Sequence, residues 1–156
     1  MSKYVKNQAF VSAHFQVSEW EGVAQYPVAW LEDRLVPLAR ALERIREHFD
    51  GASITIGAAG GYRPPAANAK IGGAKKSQHL EGRAADIRVK GVSAKAVYAA
   101  AKAMYTRRVI DIGGLGYYPE LPVSTKDPRG RRAFVHIDVR PHAPGARLVT
   151  WTGRRE

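Results

Sequence analysis

Two short segments of the sequence combine a histidine with a nearby carboxylate. The first runs from Ser77 to Asp86: His79 ends a polar, glycine-rich stretch, and Asp86 lies within the next predicted strand. The intervening Leu80-Glu81-Gly82 can turn the chain so that the two side chains converge. An imidazole nitrogen and a carboxylate oxygen are both good zinc ligands. The alternative is a surface histidine beside an ordinary strand salt bridge.

The second segment is His136-Ile137-Asp138, within the most apolar predicted strand. On a strand, residues i and i+2 point to the same face, so His136 and Asp138 stand side by side. A carboxylate that faces inward is costly unless it is paired or bound to a metal. The alternative is a His–Asp pair that satisfies itself within the sheet.

Together the two segments supply three candidate metal ligands: His79, Asp86 and His136. Three protein ligands that leave a fourth position for water are typical of a catalytic zinc site rather than a structural one. The sequence contexts of His14 and His48 indicate structural or surface roles instead. His48, for example, lies near the predicted end of a helix, where a cation suits the helix dipole.

Two helices are predicted to support these segments. The first covers residues 27 to 49, since its apolar residues recur at steps of three and four and share one face: Leu31, Leu35, Leu38, Leu42, Ile45 and Phe49. Pro37 lies inside this pattern and should kink or divide the helix. The second helix runs from Ala94 to about Arg107 behind a Ser93 cap.

The remaining elements are strands and one long loop. A glycine- and proline-rich loop is predicted from Gly60 to about Gly73. Strands are predicted at residues 53–57, at 83–89, after the Gly113-Gly114 turn and at 133–140, with a short edge piece at 148–151. Since the elements do not alternate regularly, the pattern predicts a small single α+β domain in which helices flank an antiparallel sheet that carries the zinc site.

Composition narrows the class of protein. The chain has 156 residues, which suits one domain, and its lack of cysteine excludes disulfides, thiolate zinc clusters and cysteine nucleophiles. Its 25 Lys and Arg against 14 Asp and Glu give a net charge of +11, which favours anionic partners such as nucleic acid, acidic membrane or cell-wall polymer. No stretch is apolar enough for a transmembrane helix, and no apolar segment of the kind found in secretory signals follows the first residues.

Several short motifs follow one another along the chain: Gly61-Tyr62-Arg63, Asn68, Gly72-Gly73-Ala74, Ser77-Gln78-His79-x-x-Gly82-x-Ala84-x-Asp86, Gly113-Gly114-x-Gly116-Tyr117-Tyr118 and Phe134-Val135-His136-x-Asp138. Their types and order resemble the zinc D-alanyl-D-alanine carboxypeptidase and murein endopeptidase family, whose superfamily includes lysostaphin-type peptidases and the hedgehog signalling domain. The resemblance extends from about His14 to Trp151. It implies a hedgehog/D-Ala-D-Ala peptidase-like fold and a single zinc peptidase domain over residues 1–156, with 1–13 as an N-terminal arm.

Carried over residue by residue, the resemblance implies a Zn2+ ion ligated by His79, Asp86 and His136. It also implies that Arg63 grips a substrate carboxylate or carbonyl, because a guanidinium offers a planar fork of donors. Ser77 and Gln78 would line the same cleft. Loop capping is the alternative role for both.

The general base is where the sequence departs from the better-known branches of the family. In those, an acidic residue or histidine commonly precedes the last zinc histidine by two or three positions, but here Phe134 and Ala133 stand there. Asp138, which shares a strand face with His136, is therefore predicted to act as the base or to orient the zinc water. The alternative is that Asp138 holds His136 in the correct tautomer.

Further residues are expected near the cleft. His142, in a loop, and Glu81, between two ligands, are additional candidates for proton transfer. Tyr117 and Tyr118 alternate across a strand, so one of them should face the cleft; we assign Tyr117 to substrate binding, with core packing as the alternative. Trp151 is predicted as a plug of the core rather than a substrate platform.

The resemblance, together with the three candidate ligands, implies a zinc peptidase that hydrolyses peptidoglycan stem peptides or cross-links, as a carboxypeptidase or an endopeptidase. The expected partners are peptidoglycan peptides and an anionic cell-wall polymer, without nucleic acid or a membrane span. We expect a monomer that acts at the cell wall or periplasm. The lack of a signal segment favours release like that of a phage endolysin, or delivery by a larger injection machine.

Two functions from other classes remain as alternatives. One is a non-catalytic zinc module that binds the wall or serves as a structural part of a phage or secretion device. The other is a basic nucleic-acid-binding protein, suggested by the net charge of +11. The second is disfavoured because Lys and Arg form neither a dense helix stripe nor a ribbon interleaved with aromatic residues.

Overall fold

The computed structural model describes residues 4–125 and 130–153. Its helices are α1 (Val36–His48), α2 (Pro65–Lys70) and α3 (Ala94–Thr106). Its strands are β1 (Ile54–Ile56), β2 (Ala84–Val89), β3 (Gly114–Tyr118), β4 (Phe134–Asp138) and β5 (Val149–Thr152). The prediction of a small single α+β domain is confirmed.

The predicted division of the first helix at Pro37 is also confirmed. A 3-10 turn (Val28–Trp30) and a π turn (Leu31–Leu35) lead directly into α1, and Pro37 lies in the first turn of α1. Proline is tolerated in the first turn of an α-helix because an N–H there has no partner within that helix, here α1. The predicted apolar face is buried against the sheet, and Leu38, Leu42 and Ile45 are fully inaccessible.

The sheet is mixed rather than wholly antiparallel, which corrects one part of the prediction. Its strand order is β1-β2-β4-β3-β5, and every pair is antiparallel except β3 with β5. β4 ends opposite Gly114, where β3 begins, and β5 starts beside the same residue. The connection from 139 to 148 therefore returns the chain to the sheet at the end where β3 starts, and β5 runs in the direction of β3.

The two faces of the sheet have different surroundings. Side chains that point towards α1 and α3 form the core and are fully buried: Ala85, Ile87, Leu115, Val135 and Ile137. The opposite face carries polar side chains such as Asp86 and His136, and residues of the loop between β1 and β2 lie beside them. Within the described residues, no helix has both the length and the apolar character that crossing a bilayer requires.

The loop predicted from Gly60 to Gly73 contains the short helix α2, which the glycine- and proline-rich composition concealed. Pro65 is its first residue, a position that favours proline. Asn68 is buried within α2 and donates a hydrogen bond from Nδ2 to the carbonyl of Ala74 at 2.9 Å. This bond ties the loop to the segment that leads to His79.

Candidate metal centre

The strand register brings two of the three candidate ligands together. Asp86 on β2 pairs with His136 on β4, His136 pairs with Gly116 on β3, and Gly116 pairs with Trp151 on β5. Cross-strand partners project their side chains from the same face. Asp86, His136 and Trp151 therefore meet on the face that points away from α1 and α3.

His79 reaches the same place from the loop before β2. Its carbonyl accepts a hydrogen bond from the N–H of Arg63 at 3.1 Å, and its own N–H donates to Ser77 Oγ at 3.2 Å. Gly82 then turns the chain into β2 with a φ of +66°, a conformation that favours glycine. The buried ring of His79 consequently lies against that of His136, with 5.0 Å between the centroids.

One ligand atom from each of His79, Asp86 and His136 lies within 4.8 Å of the other two. Asp86 Oδ1 is 3.1 Å from His79 Nε2 and 3.0 Å from His136 Nδ1. Nitrogen and oxygen ligands bound tetrahedrally to zinc at their usual bond lengths lie about 3.4 Å apart. The two distances to Asp86 Oδ1 are close to this value, and the two histidine nitrogens lie within 4.8 Å of each other, so the three side chains need little movement to ligate an ion.

The outer nitrogen of each histidine ring is occupied by an acceptor. His79 Nδ1–H donates to the carbonyl of Gly61 at 2.8 Å, and His136 Nε2–H donates to Asp138 Oδ2 at 2.8 Å. These bonds fix the ring orientations and direct His79 Nε2 and His136 Nδ1 towards Asp86. Metal-ligating histidines usually have such outer partners. The residues present therefore fit a zinc ion.

The electrostatics of the cluster favour a bound cation. Burial lowers the pKa of His136, but hydrogen bonds with Asp138 and Asp86 outweigh this effect and raise it to about 9. Burial raises the pKa of Asp86, but the charges and hydrogen bonds of His79 and His136 hold it well below its usual range. The cluster thus stabilises positive charge, and a metal ion competes with a proton for the same lone pairs.

Asp138 is fully buried, and both of its oxygens are engaged. Oδ2 accepts from His136 and from Arg140 Nη2 at 2.6 Å, while Oδ1 accepts from Arg140 Nε at 2.8 Å. Burial raises the pKa of Asp138, but the hydrogen bonds from Arg140 and His136 hold it well below its usual range. A carboxylate paired in this way is a poor proton acceptor, so the geometry favours the alternative role, in which Asp138 orients His136.

Two glycines of β3 make room for these groups. A Cβ on Gly114 would overlap the carboxylate of Asp138, and a Cβ on Gly116 would overlap the indole ring of Trp151. The Gly-x-Gly sequence therefore lets the side chains of Asp138 on β4 and Trp151 on β5 pack closely over β3.

The cluster forms part of the wall of a cleft of about 860 Å³. Trp151 lines this cleft, with its ring 5.1 Å from that of His136, and donates from Nε1 to the hydroxyl of Tyr118 at 2.9 Å. Trp151 is thus not the core plug that we predicted. The tyrosines do alternate, but Tyr118 lines the cleft, whereas Tyr117 packs against Tyr98 of α3 on the other face.

Arg63 is buried in the cleft wall beside the cluster. Its Nη1 donates to the carbonyl of Ala59 at 2.9 Å and lies 3.9 Å from Asp86 Oδ2, and its Nη2 lies 3.4 Å from Ser77 Oγ. Arg63 Nε is buried without a hydrogen-bond partner among the described residues, as is Gln78 Oε1. Ser77 and Gln78, which the resemblance implied beside Arg63, lie in the same cleft wall.

Two further candidates for proton transfer lie outside the cleft. The side chain of Glu81 is directed at Arg34, with 3.4 Å between Oε2 and Nη1. The exposed ring of His142 donates from Nδ1 to the carbonyl of Ala143 and approaches Asp111 at 3.5 Å. Within residues 4–125 and 130–153, the carboxylate that lines the cleft is that of Asp86.

Sequence reasoning did not consider Arg140 and Arg88 and placed Trp151 in the core, but all three line the cleft. Strand alternation could have indicated two of them: Arg140 continues the series His136, Asp138, and Arg88 follows Asp86 by two positions. Trp151 had no comparable signal, because its position depends on the parallel pairing of β5 with β3.

The sequence matches the model of a known protein family. A family model described as Peptidase M15 matches residues 9–119. The matched stretch contains His79 and Asp86 and ends before His136, which the sheet register brings to them. A search among curated proteins gave no match.

Proposed function

The chain belongs to the peptidase M15 family, and on this premise we propose that it is a zinc-dependent peptidase that hydrolyses stem peptides or cross-links of peptidoglycan. One observation carries the proposal: ligand atoms of His79, Asp86 and His136 converge on one point in the wall of an open cleft. Three protein ligands in a cleft leave room for both water and substrate.

The chemistry that zinc supplies in such a site is polarisation of the scissile carbonyl and a lower pKa, about 7, for its water. The residues of the chain supply positioning. The carbonyl of Gly61 and the carboxylate of Asp138 hold the two histidine rings, so that their inward nitrogens stay aimed at Asp86. Arg140 in turn holds Asp138, which makes both of them positioning residues.

Arg63 is proposed to bind the substrate. Two of its nitrogens are directed at Ala59 and Ser77, and its Nε is buried without a partner in the part of the chain that the structure describes. The guanidinium is therefore fixed but still has a donor to offer. A substrate carbonyl or carboxylate beside the cluster would satisfy that donor. Gln78 Oε1, which accepts no hydrogen bond from the described residues, offers an acceptor in the same wall that suits a substrate N–H.

The cleft also suits an anionic substrate, which supports an action at the cell wall. Its described lining holds one acidic side chain, Asp86, and five basic ones: Arg63, Lys76, Arg88, Arg131 and Arg140. Such an excess attracts negatively charged groups and raises the rate at which they are captured.

A second function, a wall-binding zinc module without catalysis, is favoured by the engagement of Asp138. Its oxygens accept from His136 and Arg140. Apart from Asp86, no carboxylate among the described residues lines the cleft to accept a proton. The two functions differ in whether covalent products form.

The proposal is tested by incubating purified protein of measured zinc content with murein sacculi. Mass spectrometry then identifies the released fragments. We expect peptide products from the wild type and none after chelation or in His136→Ala. His48→Ala is the matched control, because it removes an exposed imidazole at the end of α1, and it should behave as the wild type. If the wild type releases no more fragments than His136→Ala, the peptidase proposal fails; retention on sacculi without products then supports the binding module.

A further inference from the structure

We propose that Arg88 forms a second carboxylate-binding subsite of the cleft, separate from Arg63, which selects substrates with an additional acidic group. This inference rests on the proposed peptidase function and concerns the same cleft. Arg88 follows Asp86 by two positions on β2 and therefore lies on the same face of the sheet.

The guanidinium of Arg88 is anchored on one side and open on the other. Its Nε donates to the carbonyl of Ala133 at 3.0 Å, and its Nη2 donates to that of Arg132 at 3.3 Å. Nη1 makes no hydrogen bond to the described part of the chain and lies on the side of Gly57, another residue of the cleft wall. The arginine fork is thus held in place while N–H donors remain for a ligand.

An aromatic wall holds this guanidinium in position. Arg88 Cζ lies 5.7 Å from the ring centroid of Phe134, which stacks on Tyr118 with 4.5 Å between centroids and an interplanar angle of 7°. A cation over an aromatic face is stabilised by the ring electrons. Because the side chain is already ordered, binding a ligand costs it little further entropy.

The charges around Arg88 point to an anion as the ligand. Arg140 is paired with Asp138, and Arg63 lies 3.9 Å from Asp86, but no carboxylate of the described residues is within 4.0 Å of the Arg88 guanidinium. Arg131 lies on the same aromatic wall, 5.3 Å from the ring of Tyr118. Asp86, the acidic residue whose charge acts on Arg88, makes no ion pair with it within 4.0 Å. A half-buried guanidinium that is not directly ion-paired within the described residues is complementary to a carboxylate.

The strand geometry sets the position of the acidic group on the substrate. Two residues along β2 separate Arg88 from Asp86, which corresponds to about 6.7 Å. An extended peptide spans this distance in about two residues. The substrate carboxylate that Arg88 would bind therefore lies about two residues from the scissile bond, which sits at the metal cluster.

Two synthetic peptides ending in D-alanyl-D-alanine test the subsite. They are identical except at one internal side chain two residues from the scissile bond, which is a carboxylate in one peptide and a carboxamide in the other. Hydrogen bonds to charged groups predict that the wild type favours the acid by about tenfold or more in kcat/KM, mainly through KM. In Arg88→Gln the ratio of acid to amide should fall towards one. Arg132→Gln is the matched control, since it removes a neighbouring exposed charge that does not line the cleft, and it should retain the preference.

The outcomes separate this inference from the proposed function. If the wild type cleaves both peptides equally, or if Arg88→Gln keeps the full preference, the subsite is wrong and the peptidase function stands. If no peptide is cleaved, calorimetric titration of the wild type with the same two peptides decides: tenfold tighter binding of the acid supports the subsite, and equal affinity overturns it. Thermal unfolding of Arg88→Gln checks that the tie from β2 to Ala133 is not required for folding.

Discussion

The two faces of β2 and β4 are built from alternating residues of the same short segments, yet different interactions stabilise them: apolar packing on one face and hydrogen bonds on the other. Towards α1 and α3, Ile87, Val135 and Ile137 are fully buried among apolar side chains. Towards the cleft, Asp86 and His136 are held by hydrogen bonds to each other, to His79 of the loop before β2 and to Asp138 of β4. The core face needs apolar volume, whereas the cleft face needs each polar group to find its specific partner.

This difference predicts which kind of change each face tolerates. An apolar substitution of similar volume on the core face changes the packing slightly, and the cost scales with the space left empty. A substitution on the cleft face leaves the hydrogen-bond partner of the replaced residue buried and unsatisfied, even when the new side chain has the same shape. Substitutions of the neighbouring residues His136 and Ile137 should therefore affect different properties: metal binding for His136 and the free energy of unfolding for Ile137.

Zinc should produce the largest effect, and it should act through the cleft face alone. A ligand present at a thousandfold its dissociation constant stabilises the folded state by about 4 kcal/mol. Wild-type protein should therefore show a higher unfolding temperature with zinc than with a chelator, and His136→Ala should show no such difference. Thermal unfolding under both conditions checks this, and an equal zinc response in His136→Ala would place the ion elsewhere.

Ile137→Ala should produce the reverse pattern. Ile137 is fully buried on the core face, and truncation of such a residue costs about 2–5 kcal/mol of the free energy of unfolding. The zinc content of the folded fraction should stay that of the wild type, because Ile137 points away from the cluster. Chemical denaturation together with metal analysis measures both quantities. If Ile137→Ala kept its stability but lost zinc, the two faces would not have the separate roles described above.

Much of the core face could be predicted from the sequence because its signal is periodic. The spacing of Leu38, Leu42 and Ile45 indicated the buried side of α1, and Pro37 indicated where the helix divides. The cleft face was predictable only where chemistry singled out a residue type. His79, Asp86 and His136 were found for this reason, whereas the choice between Tyr117 and Tyr118 was not determined by alternation alone.

The remaining features depend on long-range pairing. Trp151 reaches His136 only because β5 pairs in parallel with β3, and no local pattern specifies that register. The role of Asp138 depended on Arg140, two positions later, whose guanidinium occupies both carboxylate oxygens. Local sequence could place Asp138 beside His136 but could not show that its capacity to accept hydrogen bonds was already used.

Asp138→Asn tests that orienting role with almost no change in shape. An amide in place of the carboxylate weakens the bonds from His136 and Arg140, and loss of such an outer partner typically lowers metal affinity about 10–100-fold. Competition with a zinc chelator measures the affinity. Asp111→Asn, an exposed carboxylate beside His142, is the matched control and should bind zinc as the wild type does. Unchanged affinity in Asp138→Asn would show that His136 needs no such support.

Ser93→Ala should have the smallest effect and should be confined to the core side. Ser93 Oγ accepts a hydrogen bond from the N–H of Ala96 at 3.1 Å and so caps α3, whose Val97 and Met104 are buried in the core. Loss of such a cap costs about 1 kcal/mol of the free energy of unfolding. Ser53→Ala, an exposed serine before β1, is the control and should change stability less. Since α3 reaches the cluster only through the sheet, zinc affinity should not change; a parallel loss of both would mean that the two faces are coupled through β4.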